Sequence, residues 1–270
     1  MSAHGRLFRL ERHWSEYPES LRAEIIDGAG MRIVEEVFAY GIECLDLPKG
    51  LLGVAFDRPV ENLELFSNLM AEVQPTSIWL HGVSKRRHAW AIDPGIFQFV
   101  ERLILIGSVP EKLFNLMVAS PALQSLVFDS GQKGSLESIV SEKVDYIRNP
   151  SGMPLPTRTP LTSLSALFIA NSRVPYSLAS LSTAPKLTNL AIHFMYGGLV
   201  HFDSIEKCRR LSVIDISGTS KIDAAEVLLR MPQIERTVVF QAKGVSDEIK
   251  SALHERWKFR MQAKSESTSN

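Results

Sequence analysis

Seven histidines and two cysteines carry the most latent chemistry in this 270-residue chain. To act, they would need a spacing that brings them together: two histidines one helical turn apart around a zinc, or paired cysteines two residues apart. The chain contains no H-E-x-x-H, no G-x-S-x-G nucleophile turn, no G-x-x-x-x-G-K-[ST] phosphate loop and no paired C-x-x-C sites. His81, His88, His193, His201 and His254 fall in separate stretches without ligand spacing. The expectation is a protein that is not an enzyme, with no cofactor and no metal. An enzyme whose site is assembled from distant residues is the third-ranked reading, and it would gain weight if His81, His193 and Asp129 converged on a pocket. Cys44 and Cys208 are too few and too far apart for a disulfide framework and read as two reduced thiols.

Thirty basic and thirty acidic residues leave a net charge of zero. Such a chain has no broad field to gather nucleic acid or anionic lipid, so neither is expected as a partner. Arg6, Arg9, Glu11 and Arg12 interrupt the first residues, and no later apolar run reaches the roughly 18 residues a membrane span needs. The expected location is the cytoplasm.

The elements that would position any site repeat along the chain. In Leu211 to Ile234, Leu211, Ile214 and Ile216 give L-x-x-L-x-L, Gly218 and Thr219 turn the chain, and Ala224, Val227, Leu228 and Met231 form a helical stripe ending at Pro232. A short strand and a short helix cannot each bury an apolar face alone, so such units stack. Related strands start at 42, 60, 75, 100, 123, 144, 164, 187, 211 and 234, as in IECLDL, VENLEL, PTSIWL and VERLIL. Most steps lie in the roughly 20 to 29 residue range of stacked repeats, but the first two, 18 and 15 by subtraction, are short. Leu51 to Phe56 is therefore expected as a hairpin with the first strand.

Between strands, residues 110–118 and 224–230 read as helices stopped by Pro121 and Pro232, with a similar pattern after Tyr176. Asn149 to Pro160, with four prolines, reads as an irregular loop on one face. The expected organisation is an N-terminal cap over 1–41, with a helix from Pro18 and an ambiguous segment from Met31 to Tyr40; a solenoid over 42–245; a C-terminal cap over 246–263, with a helix at Val245 to Arg256 and a strand at Lys258 to Met261; and a disordered tail over 264–270.

This repeated spacing resembles the leucine-rich repeat family, in a divergent, irregular, bacterial-type array. The family places an asparagine after the strand motif; Asn68 matches and Thr219 substitutes for it, while VDYIRN and IERTVV depart from the apolar pattern. The resemblance implies an α/β solenoid with a curved parallel sheet on the concave side and helices and irregular segments on the convex side. It also implies protein binding.

Residues alternating with the buried positions line the exposed face of such strands. One row reads Asp46, Glu64, Trp79, Ile104, Val127, Arg148, Phe168, Ala191, Asp215 and Val238, and the next includes Pro48, Phe66, His81, Ile106, Asp129, Ala170, His193, Ser217 and Phe240. Ten strands spaced about 4.8 Å apart would span roughly 43 Å, enough for a protein partner. Phe66, Trp79, Phe168, Phe240 and Arg148 are types that anchor interfaces, and Asp46, Glu64, Asp129 and Asp215 would set charge complementarity. The basic loop from His81 to Trp90, with Arg86 and Arg87, is a second candidate surface, and Phe194-Met-Tyr-Gly-Gly a third. The leading expectation is a non-catalytic protein-binding module, monomeric when free, of a kind that includes stoichiometric inhibitors and immunity proteins against a toxin or effector. The alternative is a substrate-recognition adaptor subunit of a larger complex.

Overall fold

The computed structural model describes residues 5–9, 36–39, 53–56, 67, 70–71, 74–80, 82–83 and 92–256. The chain divides into two compact units, residues 1–141 and 142–270. Both are α/β, built on parallel strands.

In the first unit, β1 (Gly5–Arg9) pairs antiparallel with β2 (Glu36–Ala39). The ambiguous segment after Met31 thus contributes a strand, while the helix expected from Pro18 lies outside the described residues. Parallel strands β3 (Gly53–Phe56), β4 (Ser77–Leu80), β5 (Arg102–Leu105) and β6 (Ser125–Phe128) follow, each paired with the next. The neighbour of β4 is β3, in register from Gly53↔Ser77 to Phe56↔Leu80. This corrects the expectation for the early repeats. Leu51, Val54 and Phe56 carry the motif, and the step to Pro75 is 75 minus 51, or 24, an ordinary repeat length. VENLEL, which falls between β3 and β4 in the sequence, lies outside the described residues.

Helix α1 (Glu111–Val118) follows β5. Pro110 is compatible with its start, Glu111 complements the positive end of the helix, and Leu113, Phe114, Met117 and Val118 form the buried face. Phe114 meets Phe128 edge to face at 5.5 Å. Ser120, just past the helix end, donates to the carbonyl of Val100 at 2.7 Å, joining the helix end to the segment that leads into β5.

The second unit holds five parallel strands: β7 (Tyr146–Asn149), β8 (Ala166–Ala170), β10 (Asn189–His193), β12 (Val213–Ser217) and β13 (Arg236–Phe240). A separate parallel pair, β9 (Tyr176–Ser177) with β11 (Leu199–Val200), lies in the connections. The five-strand register runs without a slip through Arg148↔Phe168↔Ala191↔Asp215↔Val238. Leu164, Leu167, Ile169, Leu187, Leu190, Ile192, Leu211, Ile214 and Ile216 are all buried, as the motif requires. Each side chain of this size contributes roughly 1.5–3 kcal/mol by leaving water.

A hydroxyl ladder reinforces the strand starts. Ser165 donates to Asp145 O at 3.0 Å, Thr188 to Ser165 O at 2.9 Å and Ser212 to Thr188 O at 3.3 Å. The connecting segments are tighter than the expected helices. Ala179–Thr183 and Phe202–Lys207 are 3-10 turns, and α2 covers only Val227–Arg230. Ala224, expected inside that helix, sits at φ +48°, where a right-handed helix cannot begin.

The irregular loop expected over Asn149 to Pro160 covers residues 150–165, with Asn149 ending β7. Asn149 takes the last apolar position of its motif and is fully buried because it organises this loop. Its Nδ2 donates to Met153 O at 2.6 Å, and its Oδ1 accepts from Met153 N at 3.1 Å. Tyr176 also donates to Met153 O, at 2.8 Å. Burial raises the Tyr176 phenol well above its ordinary pKa, while the contact with Asn149 opposes that rise.

The expected terminal helix occurs over residues 247–256. Arg256 docks it, with its guanidinium donating to the carbonyls of Leu228, Leu229 and Met231 at the end of α2. Such a cation satisfies carbonyls that a helix end leaves open. The expected strand at Lys258 to Met261 and the tail lie outside the described residues. No helix among the described residues is long and apolar enough to cross a membrane.

Candidate functional site

In the second unit, the first outward row expected from the motif is formed and the second is formed in part, since Ala170 is covered and keeps only 2% of its exposure. Arg148, Phe168, Ala191, Asp215 and Val238 stand side by side on adjacent strands, followed by the row containing His193, Ser217 and Phe240. Arg148 is exposed, and its guanidinium carbon lies 5.2 Å from the centre of the Phe168 ring, a cation–π contact. Phe168 meets the His193 ring edge to face at 5.1 Å. Phe240 is 60% exposed at the end of the next row.

Small residues hollow this face. Ala166 and Ala191 lack side-chain bulk beyond Cβ, leaving a groove of about 350 Å3 between Tyr146 and Phe168 on one side and Val213, Asp215 and Arg236 on the other. Its lining is mostly apolar, with polar groups from Tyr146, Asn189, Asp215 and Arg236. That composition suits one large side chain of a partner, fixed by charge.

Asp215, His193 and Ser217 invite a catalytic comparison. Ser217 Oγ donates to Asp215 Oδ1 at 2.9 Å, and His193 Nε2 lies 3.3 Å from Asp215 Oδ2 but is not aligned for a hydrogen bond. The carboxylate therefore stands between the serine and the histidine. Nucleophile activation needs the imidazole in that middle place. Ser177 Oγ lies 3.0 Å from His201 Nδ1, but Asp223 accepts from the backbone N–H groups of His201 and Phe202 at 2.7 and 2.9 Å. Asp223 thus stabilises the left-handed backbone of His201, at φ +58°. No group of three or more His, Cys, Asp or Glu among the described residues is placed to hold a metal.

The first unit does not offer the same open row. Trp79, Ile104 and Val127 are neighbours in register, and Ile104 and Val127 retain only 2% and 6% of their exposure. Adjacent apolar side chains of this size pack together and lose water. Trp79 is half-buried, and its indole N–H has no hydrogen-bond partner among the described residues. Asp129 is exposed, but its Oδ2 accepts from Gly107 N at 2.9 Å and stabilises the preceding turn at φ +78°. Asp46, Glu64, Phe66, His81, Arg86 and Arg87 lie outside the described residues.

The loop at Phe194, the weakest of the three surfaces expected from the sequence, exposes apolar side chains. Phe194, Tyr196 and Val174 are 44%, 60% and 65% exposed. Phe194 has φ +53°, a conformation that an L residue with a bulky side chain rarely adopts. Asn171, Gly218 and Gln241 take the same left-handed region after β8, β12 and β13, so Phe194 occupies a repeated turn position normally suited to glycine or asparagine. Compared with family models and with curated proteins, the sequence matches none of either.

Proposed function

We propose that this chain is a non-catalytic protein-binding protein of leucine-rich repeat type, which presses the outward strand face of residues 142–270 against a protein partner. The observation that carries this reading is the row Arg148, Phe168, Ala191 and Asp215, in register, whose last three members line a mostly apolar groove that also takes in Arg236. Interfaces concentrate their energy in aromatic and arginine anchors seated around such depressions. A stoichiometric inhibitor or immunity protein that neutralises a toxin is the narrower form of the proposal. It would hold one partner tightly, whereas an adaptor would hold several more weakly.

Affinity capture with the full chain, alongside Arg148→Glu and Phe168→Ala variants, tests the reading. Circular dichroism and urea unfolding establish that each variant is folded. A partner retained by the native chain and lost by either folded variant supports strand-face recognition. Equal capture by all three proteins refutes it.

A further inference from the structure

The loops after β8, β10, β12 and β13 cover residues 171–175, 194–198, 218–221 and 241–244. They contain Arg173, Lys221 and Lys243, all exposed, and no aspartate or glutamate. In a chain with equal numbers of acidic and basic residues, a carboxylate-free edge is a local departure. None of these three cations forms an ion pair among the described residues. Nearby Asp223 is occupied by two backbone N–H groups, and Asp247 pairs with Lys250.

The same loops present Phe194 and Tyr196, stacked on one another with centroids 6.4 Å apart. Glycines hold the display in place. A Cβ on Gly197 would come within 2.1 Å of the Val174 backbone, and one on Gly218 within 2.7 Å of the Phe194 ring. Gly197 N donates to Ser172 O at 3.2 Å, Ser220 Oγ to Tyr196 O at 2.7 Å and Leu199 N to Lys221 O at 2.8 Å. Adjacent loops are therefore joined by direct backbone approach and hydrogen bonds. Little ordering remains to be done when something binds.

Resting on the protein-binding reading, we propose that this loop edge is a second contact surface and takes an acidic protein segment bearing apolar side chains. Its carboxylates meet Arg173, Lys221 and Lys243, while its apolar side chains cover Phe194 and Tyr196. Charge favours protein over nucleic acid. Three cations in a chain of zero net charge give no continuous track for a phosphate backbone, but they suffice to meet the few carboxylates of an acidic segment.

The test is fluorescence anisotropy with the full chain and a labelled peptide alternating glutamate with leucine and phenylalanine. The matching lysine peptide and a labelled oligothymidylate are the comparisons. The proposal predicts that the glutamate peptide binds best and weakens with added salt. It also predicts at least a roughly tenfold loss in the triple variant Arg173→Glu, Lys221→Glu, Lys243→Glu, as charge reversal at an interface should produce. Tyr196→Ala, whose side chain is largely exposed, should weaken the same binding without unfolding the chain, checked by thermal melting. Failure of the glutamate peptide to bind, equal binding of the lysine peptide, or indifference to the triple change overturns the proposal. Loss only in Arg148→Glu and Phe168→Ala overturns the loop surface but leaves strand-face recognition standing. Tighter oligothymidylate binding through the same loop residues overturns the choice of an acidic protein.

Discussion

Asn149→Asp replaces one terminal group with another of nearly the same shape at a fully buried polar side chain of the second unit. In the native protein Nδ2 donates to Met153 O at 2.6 Å, and Oδ1 accepts from Met153 N at 3.1 Å. An aspartate could retain the second contact but would direct an anionic oxygen at a buried carbonyl. A buried carboxylate without compensation takes up a proton instead, restoring a donor toward Met153 O. Holding that proton costs about 1.4 kcal/mol for each pH unit above the ordinary aspartate pKa of about 3.9. The substitution should therefore cost up to about 4 kcal/mol at pH 7 and about 1.5 kcal/mol at pH 5. The sign follows from a folded-state pKa raised above the unfolded one, so the variant recovers stability as pH falls toward that range. Urea unfolding of both proteins at the two pH values gives the difference directly. A variant as stable as the native chain at pH 7, or a penalty that does not change with pH, would refute the proposed role of Asn149.

Arg256→Ala removes donors to three carbonyls at the end of α2 and should lower stability by about 1.5–3 kcal/mol in urea unfolding; Arg256→Lys should recover less than half, because an ammonium lacks the planar fork. Burial pushes the Cys208 thiol up to about 12. Below about pH 8.5 both states keep the proton; above it the unfolded chain loses it first, so native stability should fall by about 1.4 kcal/mol per pH unit until the folded thiol ionises. Subtracting the pH profile of Cys208→Ala isolates this component, and native Cys208 should resist alkylation at pH 8 until urea is added. Gly197→Ala forces a Cβ into the Val174 backbone and should cost about 1–3 kcal/mol, read as a lowered melting temperature.

From Pro75 onward the strands were legible because a buried sheet face demands period-two alternation, and a slip of one residue would have exposed Leu167, Ile169, Leu190 and Ile192 together. The first repeat was harder because LLGVAF and VENLEL fit the same template, and only pairing of β3 with β4 distinguishes them. The open rows were legible as positions in the second unit. Their closure in the first was not, since alternation assigns a face without saying whether Ile104 and Val127 meet water. The short helix near Ala224 was not legible because Asp223 turns its carboxylate to His201 and Phe202, one repeat earlier, instead of capping its own segment. Phe194 was weakly signalled because an aromatic residue carries no turn preference. Aligning it with Asn171, Gly218 and Gln241, seven positions after each motif begins, would have exposed the repeated left-handed site. The hydroxyls of Ser165, Thr188 and Ser212, one position after each motif begins, were an available signal for the ladder.

Hydroxyl-radical footprinting of the free chain and its captured partner complex tests strand-face recognition most directly. Binding through the groove predicts that Tyr146 and Phe168 lose reactivity together on complex formation, with Phe240 following at the adjoining row. Unchanged reactivity at Tyr146 and Phe168, with protection confined to α1 in the first unit, would contradict the account.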